Sequence, residues 1–193
     1  MKRITVFCGS SAGTSSVIQQ QASLLGSTLA GKGIGMVYGG AAIGLMGLVA
    51  EGALKSGGEV IGVLPYFLRT KEIAHEALTE LVLVDSMHER KTKMNELCDG
   101  VIALPGGFGT LEEFFEMLTW AQLGLHQKPI GLLNVEHFYD PLLVFVDSMV
   151  DKGFLKDDNR KMILVAETAE ALITLMENYK APVVPKWIDL SKS

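Results

Sequence analysis

At 193 residues, 48% of them hydrophobic, the chain has the size of one domain and enough apolar side chain to bury a core, which excludes intrinsic disorder. Its formal net charge of −5 argues against a broad nucleic-acid or acidic-membrane surface, yet leaves room for a local basic pocket around one phosphate. Two cysteines, Cys8 and Cys98, are too few for a disulfide framework and lack metal-ligand spacing, so a reduced, cytoplasmic setting is expected.

The first apolar run, Ile4–Cys8, follows Lys2-Arg3. It is shorter than the roughly 7–15 residues of a signal-peptide core and reads as a strand. Further strand-like runs are Gly35–Tyr38, Val60–Leu64, Leu81–Val84, Val101–Leu104, Pro129–Leu133 and Met162–Val165. Helical periodicity fills the intervals, over about 15–31, 45–56, 87–98, 111–124, 138–152 and 167–179. Short apolar strands alternating with helices predict a single doubly wound α/β domain over 1–180: a Rossmann-like, mostly parallel sheet with helices on both faces. Residues 181–193 contain Pro182 and Pro185, cannot continue a helix, and are expected to run extended over the surface. No run reaches the roughly 18 apolar residues of a membrane helix.

In such sheets ligands bind outside the carboxyl ends of the strands, at a topological switch point. Three predicted strand ends carry small residues there: Gly9-Ser10-Ser11, Gly39-Gly40 and Gly106-Gly107. Bare backbone converging at one edge makes room for a nucleotide. No G-x-G-x-x-G follows the first strand, and the second does not end in an acidic residue, so a dinucleotide oxidoreductase fits poorly.

The most informative stretch is Pro105-Gly106-Gly107-Phe108-Gly109-Thr110-Leu111-Glu112-Glu113. Strand, glycine turn and helix start form a geometry that points backbone N–H groups at an anion. Glycines at 106, 107 and 109 are expected to supply positive φ and close approach to a phosphate. Glu113 has two readings. Spacing alone makes Thr110-x-x-Glu113 a capping box; position alone puts a carboxylate beside whatever the turn holds. Arg90 and Lys91 open a helix behind Ser86, which with Glu89 forms another capping-box pattern. Asn95, one turn further on, could face the same side. His75, His88, His126 and His137 show no ligand spacing, so no metal is expected. Met36, Met46, Met87 and Met94 read as packing.

The nine-residue stretch resembles the PGGxGTxxE motif of the LOG family, the cytokinin riboside 5′-monophosphate phosphoribohydrolases; Pro105, Gly106, Gly107, Gly109, Thr110 and Glu113 match every fixed position. Met87-His88-Glu89-Arg90-Lys91, Thr119-Trp120-Ala121-Gln122-Leu123-Gly124 and Lys128-Pro129-Ile130-Gly131-Leu132-Leu133-Asn134 are similar to that family too. The resemblance implies hydrolysis of the N-glycosidic bond of a nucleoside 5′-monophosphate, a cytokinin riboside 5′-monophosphate or AMP, to free base and ribose 5-phosphate. It implies catalytic roles for Arg90 and Glu113. Substrate contacts would come from Glu72, Lys91, Gly106, Gly107, Phe108, Gly109, Thr110 and Thr119, with Gly9, Ser10, Gly39 and Gly40 at the strand ends. Arg90 is expected to hold Glu113 ionised with a lowered pKa. No cofactor is implied. A homodimer or a dimer-built assembly is, and the apolar helix Phe114-Phe115-Met117-Leu118-Trp120 agrees with it. Members often carry the label lysine decarboxylase, which would require a pyridoxal phosphate Schiff-base lysine that nothing here marks. The alternative is a noncatalytic nucleotide-binding or carrier protein using the same glycine turns.

Overall fold

The computed structural model describes residues 1–68, 75 and 77–182. Seven strands, β1 (Arg3–Phe7), β2 (Gly35–Tyr38), β3 (Val60–Pro65), β4 (Glu80–Val84), β5 (Gly100–Ala103), β6 (Ile130–Leu133) and β7 (Ile163–Ala166), form one sheet in the order β4-β3-β2-β1-β5-β6-β7. Every neighbouring pair is parallel. Alternation along each strand decides which face a side chain serves. Ile4 and Val6 enter one apolar layer with Ile102 and Leu104; Phe7 enters the other with Val101 and Ala103. Burial on both faces explains why these strands read as continuous apolar runs.

Helices α1 (Ser16–Gly31), α2 (Gly44–Lys55) and α7 (Ala169–Glu177) cover the first layer. Helices α3 (Met87–Leu97), α4 (Phe108–Gln122) and α5 (Asp140–Asp151) cover the second, and a single short turn, α6 (Asp157–Arg160), leads into β7. The doubly wound α/β architecture is therefore as the sequence implies, with the described sheet wholly rather than mostly parallel. The short α6 was not expected. The predicted tail lies outside the described residues from 183 onward.

Strand order reverses between β1 and β5. Their carboxyl ends consequently flank a crevice that no crossover covers, the usual ligand position in an open α/β sheet. Two backbone hydrogen bonds tie this edge together: Leu104 N–H donates to the Phe7 carbonyl at 2.9 Å and Gly9 N–H to the Pro105 carbonyl at 3.1 Å. Tyr139, almost fully buried, donates its hydroxyl to the Leu104 carbonyl at 2.6 Å. The glycine turn is thus anchored from both sides before any ligand arrives.

Candidate active site

Helix α4 begins at Phe108, three residues earlier than its periodicity suggests, and Gly107 is its N-cap with φ −98° and ψ −152° and no side-chain cap. Its first hydrogen bond runs from Leu111 N–H to the Gly107 carbonyl. The amides of Phe108, Gly109 and Thr110 precede that bond and point out of the helix end, where the macrodipole is positive. No acidic residue occupies the first turn. An anion placed there meets three amides and no carboxylate from the helix's first turn.

Two expectations change with this boundary. Thr110 is the third helical residue, so it cannot head a capping box, and Glu113 has no capping duty. Gly106, Gly107 and Gly109 do not have positive φ. Gly106 is needed because a Cβ there would collide with the buried Thr110 side chain. Gly107 and Gly109 face open space, with nothing within 4 Å of where a Cβ would stand. Their value is close approach of a ligand, not turn conformation.

Arg90 is 6% exposed. Its Nε donates to the Val63 carbonyl at 3.0 Å and its Nη2 to the Gly39 carbonyl at 3.1 Å. Nη1 lies 3.9 Å from Met87 Sδ and 4.0 Å from Glu113 Oε1. Gly39 has no room for a side chain, since a Cβ would overlap Nη2. The second strand's glycine end therefore builds the seat of the arginine. Ser86 caps α3 by accepting from Glu89 N–H at 3.1 Å, and the Glu89 carboxylate reaches back to Asp85 N–H at 2.8 Å.

Burial pushes the Glu113 carboxyl up to about 7; Arg90 opposes the rise, Glu112 adds to it, Lys91 opposes it and Glu116 adds to it. The expectation of a lowered pKa is corrected: Arg90 pulls it down, but desolvation outweighs that pull. The guanidinium stands 4.0 Å away and shares its charge with two backbone carbonyls, so it offsets only part of the desolvation of the carboxylate.

A cleft of about 290 Å³ joins these groups. Cys8, Gly9 and Ser10 line it beyond β1, Met46 from α2, Met87 and Arg90 from α3, and Gly107, Phe108, Gly109, Thr110, Glu112 and Glu113 from α4. A second cavity of about 480 Å³ adjoins it across the shared Gly9, Ser10 and Gly107, with Ser11, Thr14, Ser15 and Phe138 in its walls. Phe108 is 93% exposed at the cleft wall. Met46 and Met87 were expected only to pack; Met87 precedes Arg90 by one helical turn, a spacing that could have placed both on one face.

Other expected site residues lie elsewhere. Lys91 Nζ is held by Glu112 Oε1 at 2.6 Å and Glu116 Oε2 at 2.9 Å, and Lys91 is not among the residues lining the cleft. Thr119 donates its hydroxyl back to the Phe115 carbonyl at 2.7 Å and lines a separate cavity with Leu118, Val146 and Met149. Gly40, with φ +84°, accepts from His75 N–H at 3.1 Å. Asn95 accepts from Lys128 Nζ through its side chain at 2.8 Å and does not line the cleft. Glu72 lies outside the described residues.

A family model described as "possible lysine decarboxylase" matches residues 46–176. A cytokinin riboside 5′-monophosphate phosphoribohydrolase, LOG, of Oryza sativa subsp. japonica is 49% identical over 178 residues, 92% of this chain and 74% of that protein. An Arabidopsis thaliana protein of the same description is 45% identical over 188 residues, 97% of this chain and 86% of its own. The chain belongs to the LOG family.

As a LOG-family protein it also shares its fold with solved structures of lower identity. A molybdenum cofactor binding protein from Rippkaea orientalis is 24% identical with a TM-score of 0.68, covering 92% of this chain and 97% of its own. The molybdenum cofactor carrier protein of Chlamydomonas reinhardtii is 23% identical with a TM-score of 0.69, covering 91% and 96%. These two likenesses concern the fold alone. The decarboxylase wording of the family model sits badly with this LOG-family cleft, because no lysine is among the described residues that line it. Nor, among the described residues, do three His, Cys, Asp or Glu side chains gather to hold a metal ion.

Proposed function

We propose that this protein hydrolyses the N-glycosidic bond of nucleoside 5′-monophosphates, releasing the free base and ribose 5-phosphate, with a cytokinin riboside 5′-monophosphate or AMP as substrate. The observation that carries the reading is a half-buried glutamate 4.0 Å from a buried arginine, one turn inside a helix whose open amides suit a phosphate. The names of the relatives at 45–49% identity agree with it.

Each part then has a task. The amides of Phe108, Gly109 and Thr110 hold the 5′-phosphate and so fix the ribose. The C1′–N bond breaks with its electron pair leaving on the base, and the sugar becomes oxocarbenium-like. The Glu113 carboxylate offsets that positive charge and takes the proton of the water that adds to C1′. The departing base nitrogen takes up one proton, and loss of the proton from Glu113 restores the carboxylate, so that one water is divided between sugar and base. Arg90, locked by Val63 and Gly39, keeps Glu113 in place and favours its ionised form.

Purified protein supplied with AMP or a cytokinin riboside 5′-monophosphate should release base and ribose 5-phosphate in equal amounts. No release from any monophosphate by folded protein would overturn the enzyme reading and favour the carrier. Adenosine should react at least about 10²-fold more slowly in kcat/KM than AMP, because remote binding energy is worth several kcal/mol in the transition state. Equal values would assign the glycine turn a structural role only.

The acid limb of the rate profile follows from Glu113. Its carboxyl titrates at about 7, and the reaction uses the ionised form. Activity with AMP should rise between pH 5 and 8 with a midpoint near that value, and a profile that falls across this window would make Glu113 an acid rather than a base.

A homodimer, or a larger assembly built from dimers, completes the proposal. Val144 and Phe145 on α5 and Phe154 after it are more than half exposed, apolar surface that a partner copy could cover. Light scattering at micromolar concentration should give twice the chain mass or a multiple of it; the mass of one chain would count against this. Both cysteines are buried and unpaired, which supports a reduced, cytoplasmic setting. Among the described residues no helix is long and apolar enough to cross a membrane.

A further inference from the structure

Three carboxylates project from five consecutive positions of α4: Glu112, Glu113 and Glu116. Like charges one helical turn apart repel one another, and Glu113 is the most buried of the three, its side chain 13% exposed against 20% for Glu116 and 56% for Glu112. Lys91, on the facing helix α3, answers the two outer carboxylates. Its Nζ stands 2.6 Å from Glu112 Oε1 and 2.9 Å from Glu116 Oε2, so two of its three donors are committed. Burial works against its charge, yet the two carboxylates outweigh burial and hold its pKa above the ordinary lysine value. It is 8% exposed and stands behind Glu112 rather than in the cleft wall.

We propose that Lys91 is a positioning residue that clamps α4 to α3 and neutralises the carboxylates flanking Glu113, and that it makes no contact with the substrate. The inference deepens the phosphoribohydrolase reading and rests on it for its kinetic part only. The charged and titratable groups around Glu113 are Arg90 and Lys91 from α3, Glu112 and Glu116 from α4, and the buried Cys8 thiol beyond β1. Without Lys91 the two flanking carboxylates act on Glu113 with Arg90 alone to oppose them. The proton on Glu113 would then be held to higher pH, and less of the enzyme would carry the working carboxylate at neutrality.

The test is a carboxyl NMR titration of Glu113, with kcat and KM for AMP, in wild type, Lys91→Met, Lys91→Arg and Lys91→Met/Glu112→Gln/Glu116→Gln. In Lys91→Met the Glu113 midpoint should rise by about one pH unit, the usual effect of losing a nearby opposite charge. The acid limb of kcat/KM should move with it, and KM measured above both midpoints should change less than about twofold. Lys91→Arg should keep the wild-type midpoint. Neutralising both flanking carboxylates in the Lys91→Met background should return the midpoint to the wild-type value or below. If Lys91→Met does not fold, Glu112→Gln/Glu116→Gln with Lys91 retained should lower the midpoint, and an unmoved midpoint there overturns the proposal. So does an unmoved midpoint in folded Lys91→Met, or a KM raised about tenfold in Lys91→Met and in the triple variant alike, which would place Lys91 on the substrate. The titration needs no turnover, so a wild type that releases no base sinks the proposed activity and leaves the titration to judge the clamp.

Discussion

Glu113→Gln is expected to lower kcat for AMP by about 10²–10⁴-fold, the usual worth of a positioned acid or base, with substrate binding largely kept. Glutamine fills the same volume and meets the same neighbours. It cannot take a proton from water or offset an oxocarbenium charge. The helix start makes the variant informative: Gly107 caps α4 without a side chain, so the substitution removes no cap. Stability supplies an independent sign. An unfolded glutamate ionises near about 4.3, whereas burial raises the folded carboxyl to about 7. Between those values the native state binds more protons than the unfolded chain, so this group's stabilising contribution is complete below the lower value and is lost as pH rises through the upper one. Wild type therefore carries a destabilising buried carboxylate at pH 8 that the glutamine variant lacks. Glu113→Gln should melt higher than wild type at pH 8, with the gap narrowing toward pH 5. A variant that keeps more than about a tenth of normal kcat would show that another group does the chemistry.

The strands were legible because the inner ones, β1, β2, β3, β5 and β6, are buried on both faces and all are short, so apolar runs bounded by glycine or charge could be little else. The crevice was legible for a related reason. Small residues cluster after β1, β2 and β5, and an open parallel sheet places strand ends together. What sequence could not show was contact across elements. Thr110-x-x-Glu113 carries the pattern of a capping box, and only the start of α4 at Phe108 decides against it. Arg90 and Glu113 promise an ion pair with a depressed carboxyl. The structure gives a 4.0 Å approach in a setting where desolvation dominates, and no spacing reports desolvation. Lys91 is adjacent to Arg90 in the chain, yet successive residues on a helix point about 100° apart. That rotation sends one side chain to the cleft and the other to Glu112 and Glu116. Thr119 lies nine residues beyond Thr110, about two and a half turns, so it faces the opposite side of α4, where its surroundings are Leu118, Val146 and Met149.

Gly39→Ala is expected to reduce kcat/KM for AMP by about 10²-fold, the typical cost of a displacement near 1 Å in a catalytic constellation, although alanine never enters the cleft itself. The new methyl would overlap Arg90 Nη2 and stand 2.9 Å from Met46 Sδ. Both are far ends of flexible side chains, so they yield before the backbone does. Gly39 has no positive φ, so alanine is not strained there, and losing the freedom of a glycine in the unfolded chain favours the folded state by about 0.4–1 kcal/mol. The fold should survive, with Tm within a few degrees of wild type. Arg90 should not keep its place: its bond to the Gly39 carbonyl at 3.1 Å is lost as the guanidinium swings, and Nη1 leaves Glu113. Total charge is unchanged, which separates this variant from any that deletes the arginine. The neighbouring Gly40 offers the contrast. Its φ of +84° is costly for an alanine, while the atoms nearest to a Cβ there, in the Leu64 and Leu81 side chains and the Gly62 backbone, lie at 3.4 Å or beyond. Gly40→Ala should consequently lower Tm, by the several degrees that about 1–2 kcal/mol of left-handed strain implies. Should Gly39→Ala retain wild-type kcat/KM, the exact seat of Arg90 would be irrelevant to turnover, and its role would reduce to long-range charge.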